Sequence, residues 1–252
     1  QLYCNQVFVT DSVEGVVPEF MMIMRGVIDS LDIPLNVSRS YLQSDANVKK
    51  ISSYITKKVA SQLENIFKNR RNEFEEKWDD VKIFIEYGML TDDKFCDSAM
   101  KFALMSNTDG KRFTLDEYKQ LIEATQTDKD GNLIYLYTTD KTAQFSHVKA
   151  ATDKGYDVLV IDDQLTAPFI GLLERKLEKA HFVRVDSDIV DNIIVKEERK
   201  VVEMTESERN TMTTLFKSQI PTIEKSDFLV TFESLAETTT PVQITQNEYQ
   251  RR

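Results

Sequence analysis

The sequence predicts an α/β fold, and three observations carry that prediction. Apolar residues recur at helical spacing through much of the first half, and two short β-type runs flank a helix-length segment in the second half. Gly and Pro are scarce, at 7 and 5 of 252 residues, which favours long helices over loop-rich sandwiches. With 41% hydrophobic and 10% aromatic residues, the chain can fill one large core or two modest ones.

Leu2-Tyr3-Cys4 and Val7-Phe8-Val9 open the chain in a strand-like pattern. Pro18 suits a first helical position, and Phe20, Ile23, Met24 and Val27 follow at helical spacing, which predicts a helix ending near Ser30. Pro34 holds Ile33 out of the helical region, and Asn36 or Ser38 can cap a short helix beyond it. Val48, Ile51, Ile55, Val59 and Leu63 predict a long helix, with Lys49, Lys50, Lys57 and Lys58 placed elsewhere around it. Phe74, Trp78, Val81 and Ile85 predict another, read as core residues rather than a cofactor platform, and Phe95, Ala99 and Phe102 predict a third. Thr114 with Glu117 forms a capping box, and Phe113 with Tyr118 has staple spacing, so a helix starts there and buries Leu121 and Ile122. Residues 41–125 thus read as nearly all helical.

Beyond residue 125 the period changes. Leu133-Ile134-Tyr135-Leu136-Tyr137 and Val158-Leu159-Val160-Ile161 read as strands around a helical segment holding Phe145 and Val148, a βαβ unit with parallel strands. A helix from about Thr166 to Leu177 would pack on that sheet. Thr205 and Glu208 make a second capping box, and Phe228–Phe232 and Val242–Ile244 read as strands. Both ends read as cut: the chain opens at once in a strand without Met, and it stops in charged, helix-compatible sequence without a cap.

A formal net charge of -10 repels a phosphate backbone, so nucleic acid is not expected as a partner. No run approaches the ~20 apolar residues that cross a bilayer, and Gln1 to Thr10 lacks the basic-then-apolar order of a signal peptide. No membrane association is expected, and the location expected is cytoplasmic, with Cys4 and Cys96 reduced. His147 and His181 lie in unrelated segments without metal or triad spacing. Asp128-Lys129-Asp130-Gly131-Asn132 lacks the first and twelfth ligands of a calcium loop and reads as a turn before a strand.

Arg39 is the most informative single residue. If Ser38 is the cap, a cation in the first turn costs ~0.3–1 kcal/mol against the helix dipole. Free amides at a helix start and a guanidinium can converge on one phosphate, and Gln43 lies four residues on along the same face. An exposed arginine bearing a small local cost is the other reading of the same spacing.

Gly26-Val27-Ile28-Asp29-Ser30-Leu31-Asp32-Ile33-Pro34-Leu35-Asn36-Val37-Ser38-Arg39 resembles the signature string of the bacterial heat-shock protein 90 family. Leu115-Asp116-Glu117-Tyr118 and the 134–135 and 158–159 strand residues fit the same family, while Ser40 and Ser44 depart from its Glu and Gln. The resemblance implies two α/β/α subdomains joined by a helical connector, followed by a truncated α+β C-terminal domain. The implied divisions are 1–68, the C-terminal part of the large subdomain; 69–125, the connector; 126–196, the small subdomain; and 197–252, the start of a dimerisation domain.

The resemblance further implies that Arg39 contacts the terminal phosphate of ATP, that Asn36 and Gln43 support its loop, and that Phe8 packs beneath it. ATP and Mg²⁺ would be bound by an N-terminal domain absent from this chain, so no cofactor is expected in the fragment itself and it should not hydrolyse ATP alone. The implied partners are unfolded or partly folded client proteins, that N-terminal ATPase domain, and a second copy in a full-length homodimer acting in protein folding under stress. A nucleotide-independent client-binding or scaffold module is the alternative, and an independent phosphate-handling enzyme a more distant one.

Overall fold

The structure is a computed structural model that describes residues 1–11, 16–22, 25–29, 46–196, 203–221, 223, 227–233 and 241–246, with the side chains of 46–48 left aside. Its α/β architecture contains two sheets. β1 (Leu2–Cys4) and β2 (Val7–Thr10) form an antiparallel hairpin, and β3 (Ile28–Asp29) pairs parallel to β1. The hairpin turns through Asn5 and Gln6, both at positive φ (49° and 65°), the geometry that suits the right-handed twist of flanking strands. Leu2 and Val16 form a small core, joined by Val9, Ile28 and Ile51.

Between β2 and β3 the expected helix shrinks to one 3₁₀ turn, Glu19–Met21, with Pro18 just ahead of it as the cap. Phe20 and Met21 are buried, but the backbone at residue 28 is committed elsewhere: the Ile28 amide donates to the Gln1 carbonyl at 2.9 Å and the residue joins the β1 ladder. Ile23 and Met24 lie outside the described residues.

The long helix α1 (Ala46–Asn69) forms as the apolar period requires, with Ile55, Val59, Leu63, Ile66 and Phe67 against the main core. α2 (Arg71–Glu76), α3 (Trp78–Thr91) and α4 (Asp93–Ala99) follow. The Asp92 side chain caps α4 by accepting from the Phe95 amide at 2.9 Å. The aromatic side chains interlock: the Phe20 and Phe95 rings lie 4.8 Å apart, and Phe74 touches both Trp78 and Phe102. Gly88 permits this approach, because a Cβ there would stand 2.7 Å from Phe95 and 2.8 Å from Phe20.

The nearly all-helical reading of 41–125 fails at β4 (Leu104–Asn107) and β5 (Arg112–Thr114). Asn107 organises the turn between them, its Oδ1 accepting from the amides of Asp109 (3.1 Å) and Lys111 (2.9 Å), while Gly110 supplies positive φ. The capping box of Thr114 and Glu117 then starts α5 (Leu115–Gln126). Tyr118 and Ile122 face inward, whereas Leu121, expected to be buried, is half exposed.

β4 and β5 join β6 (Leu133–Thr138), β7 (Val158–Val160) and β8 (Ala180–Arg184) in one sheet of order β5-β4-β7-β6-β8. β6 runs parallel to β7 and β8, as the βαβ pattern predicts. Alternation along β6 serves two layers: Ile134 and Leu136 pack with Val148 and Ala151 of α6 (Phe145–Asp153), and Leu133, Tyr135 and Tyr137 join the main core with α7 (Thr166–Lys176). The 128–132 segment is a turn, with Asp128 accepting from the amides of Asp130 and Asn132 and Gly131 at φ 79°.

A short α8 (Val190–Ile193) closes the second layer. α9 (Glu206–Gln219) starts at the expected Thr205–Glu208 box but buries none of its residues. Residues 228–232 and 242–244, expected as strands, are irregular: no neighbouring strand pairs with them among the described residues, and Leu229 is 85% exposed. The 242–246 segment instead lies against the second sheet, where the Gln246 amide donates to the Asp186 carbonyl (2.7 Å) and His147 Nε2 meets the Ile244 carbonyl (2.9 Å).

Candidate functional site

The signature string 26–39 includes β3, and α1 begins seven positions after its last residue. Arg39, Asn36 and Gln43 lie outside the described residues, as do residues 30–45 in general. The structure fixes the segment's two anchors. Asp29 closes β3, and its carboxylate accepts from the Gln6 amide at 3.1 Å, tying the hairpin turn to the point of departure. Ala46 opens the 24-residue helix whose far end is packed in the main core.

Phe8 stands on β2, the edge strand opposite β3, with Tyr3 of β1 paired between Phe8 and Asp29. It is 53% exposed, and its ring meets Tyr3 edge-on with centroids 5.7 Å apart. Among the described residues, Tyr3 is its aromatic neighbour.

A second polar constellation went unread in the sequence. Lys82 and Glu86 occupy successive turns of α3, and Asp162 and Asp163 follow β7. Lys82 Nζ stands 2.7 Å from Asp163 Oδ2 and 3.8 Å from Asp162 Oδ1. Glu86 is 2% exposed, and its Oε2 has no hydrogen-bond donor among the described residues. Burial pushes the Glu86 carboxyl up to about 8, Lys82 works the other way, and the neighbouring Asp163 and Asp162 charges add to the rise. Burial opposes the Asp163 charge, but Lys82 overrides it and holds that carboxylate below its ordinary value. Lys82 is likewise disfavoured by burial and held above its ordinary value by Asp163 and Glu86. The group borders a cavity of about 260 Å³ at the carboxyl end of β7, walled also by Trp78, Arg112 and Phe169. The sequence signal was a carboxylate inside the apolar run Ile83-Phe84-Ile85-Glu86-Tyr87-Gly88, four residues after a lysine.

No helix among the described residues is long and apolar enough to cross a membrane. The described residues also contain no group of three or more His, Cys, Asp or Glu side chains arranged for a metal ion, and Cys4 and Cys96 are both free thiols.

The family model described as Hsp90 protein matches residues 1–250. The chaperone protein HtpG of Porphyromonas gingivalis is 60% identical over 252 residues, all of this chain and 37% of that protein. The HtpG of Bacteroides thetaiotaomicron is 58% identical over the same span. The chain therefore spans 37% of the length of these curated relatives. Among solved structures, the middle domain of a Plasmodium falciparum heat shock protein superposes with a TM-score of 0.56 at 15% identity, covering 73% of this chain and 71% of that one, a likeness of fold. With a family match across residues 1–250 and 60% identity along its whole length, the chain belongs to the HSP90 family of chaperones.

Proposed function

We propose that this chain is the middle segment of an ATP-dependent molecular chaperone, and that it sends Arg39 to a nucleotide held by another domain. The observation that supports this most is the 26–39 string ending in Arg39, within a chain 60% identical to an HtpG chaperone from end to end. In this reading ATP and Mg²⁺ are bound by an N-terminal domain outside this chain and supply the reactive phosphate. The residues here position and neutralise: Arg39 offers a planar pair of donors to phosphate oxygens as negative charge develops, and Asn36 and Gln43 hold its loop. Phe8, half exposed on β2, is the residue proposed to pack beneath that loop. The proposed divisions are 1–68, 69–125, 126–196 and 197–252, with the β4–β5 hairpin of the connector contributing two strands to the sheet of the small subdomain. Client proteins and a second copy of the full-length chain are the proposed partners, and the cytoplasm the proposed location.

The alternative is a client-holding module that works without nucleotide. Its support is the apolar surface left open on the C-terminal segments: Leu215, Leu229, Val242 and Ile244 are each more than half exposed. Arg39→Ala in the full-length protein separates the two readings. The proposal expects ATP turnover to collapse while aggregation-prone clients are still held. Unchanged turnover would move the function to the apolar surface.

A further inference from the structure

We infer that Glu86, Asp163 and Lys82 form a proton-binding site that locks helix α3 to the first turn of α7, so that loss of one shared proton loosens the joint between them. The cluster bridges two elements that pack together: Glu86 and Lys82 come from α3, and Asp163 stands at the entry to α7. Asp163 builds that entry. Its Oδ1 accepts from the Leu165 amide at 2.8 Å, and its carbonyl accepts from the Thr166 hydroxyl at 2.7 Å.

Two carboxyl groups face one another across this joint, and a carboxylate has only acceptors. Among the described residues Glu86 Oε2 is buried without a donor, and Asp163 Oδ2 has the Lys82 ammonium at 2.7 Å as a charge contact rather than an aligned hydrogen bond. A proton on Glu86 converts this clash of acceptors into a hydrogen bond from Glu86 to the Asp163 carboxylate, leaving one negative and one positive charge in the buried group. With the proton gone, two largely buried carboxylates share a single ammonium, and the repulsion acts on the α3–α7 contact. The other charged groups near Glu86 among the described residues are Asp162, from the same turn as Asp163, and Asp79 and Arg112, which line the cavity and pair with each other at 2.6 Å. Arg112 is thereby engaged, so Lys82 is the cation left to answer Glu86.

Backbone hydrogen exchange on the chain, corrected for the intrinsic pH dependence of exchange, tests this between pH 5.5 and 9. Protection of the amides at 164–170 should fall by up to about tenfold per pH unit as pH rises toward 8, then level off. Glu86→Gln keeps the shape and a donor for Asp163 but cannot ionise, so its protection there should be independent of pH. Equal pH dependence in both proteins would overturn the proposal. Infrared spectroscopy gives a second readout: a protonated-carboxyl band at pH 6.5 present in the native chain and missing from Glu86→Gln. If Glu86→Gln does not fold, Asp163→Asn replaces it, because Lys82 is then free to ionise Glu86 and the band should vanish. A band that persists in Asp163→Asn contradicts the shared proton.

Discussion

The small sheet and the second sheet are built to different standards. Among the described residues around β1–β3 the fully buried side chains are Leu2 and Val16, and Val7, Phe8 and Val27 are each more than half exposed. Around β4–β8 and α2–α7 a continuous core holds Ile85, Phe95, Phe102, Tyr118, Tyr137 and Leu173 at 0% exposure. The first region carries the family signature and the second carries the packing. The dense region has the packing of a rigid base.

The largest effect that would break this contrast lies in the dense core. Phe95→Ala removes a ring packed on Phe20, Phe84 and Gly88 and should cost ~3–5 kcal/mol in urea unfolding. A loss below about 1 kcal/mol would mean that this core is no better packed than the small sheet.

The next is the pH dependence of stability. The Glu86 carboxyl is raised in the folded state from 4.5 to about 8, so its favourable contribution is complete below pH 4.5 and is lost as pH rises through about 8. Native stability should therefore drop between pH 5 and 8 by up to about 1.4 kcal/mol per unit, and Glu86→Gln should flatten that slope. An unaltered slope in the variant would assign the dependence to other groups.

Smaller again is the cap of α5. Thr114→Ala removes an acceptor for the Glu117 amide and half of a reciprocal box, at ~1 kcal/mol of unfolding free energy. Phe8→Ala on the small sheet should change unfolding free energy by less than about 0.5 kcal/mol, because the ring is 53% exposed. A Phe8 cost as large as that of Phe95 would erase the distinction between the regions.

The sequence revealed elements whose period is long and whose ends are chemically marked. α1, α5 and α9 begin or run where apolar spacing or a capping box put them, and the βαβ unit follows from two apolar runs around a helical one. The misses share a physical cause. The 3₁₀ turn at Glu19–Met21, the β4–β5 hairpin and the irregular 228–232 stretch are decided by which backbone groups find a partner across the fold, and local spacing does not report that. Ile28 is taken by Gln1 and Leu2, β4 by β7, and Phe228–Phe232 by no strand among the described residues.

The candidate sites divide in the same way. Arg39 was legible because a fourteen-residue string resembles a family signature, although its place lies outside the described residues. Glu86 was hidden because its partner Asp163 is 77 positions away in sequence and meets it only when α7 packs on α3.

The central claim is that Arg39 acts on a nucleotide held outside this chain, and the most direct test is ATP turnover with nucleotide affinity in the full-length protein carrying Arg39→Ala or Arg39→Lys. Removing a preorganised donor to developing charge costs on the order of 2.7–4 kcal/mol of barrier, so Arg39→Ala should turn over ATP ~100- to 1000-fold more slowly with affinity little changed. Arg39→Lys keeps charge without the paired donors and should fall between the two. A large loss of affinity at unchanged turnover, or no change in either, would contradict the account.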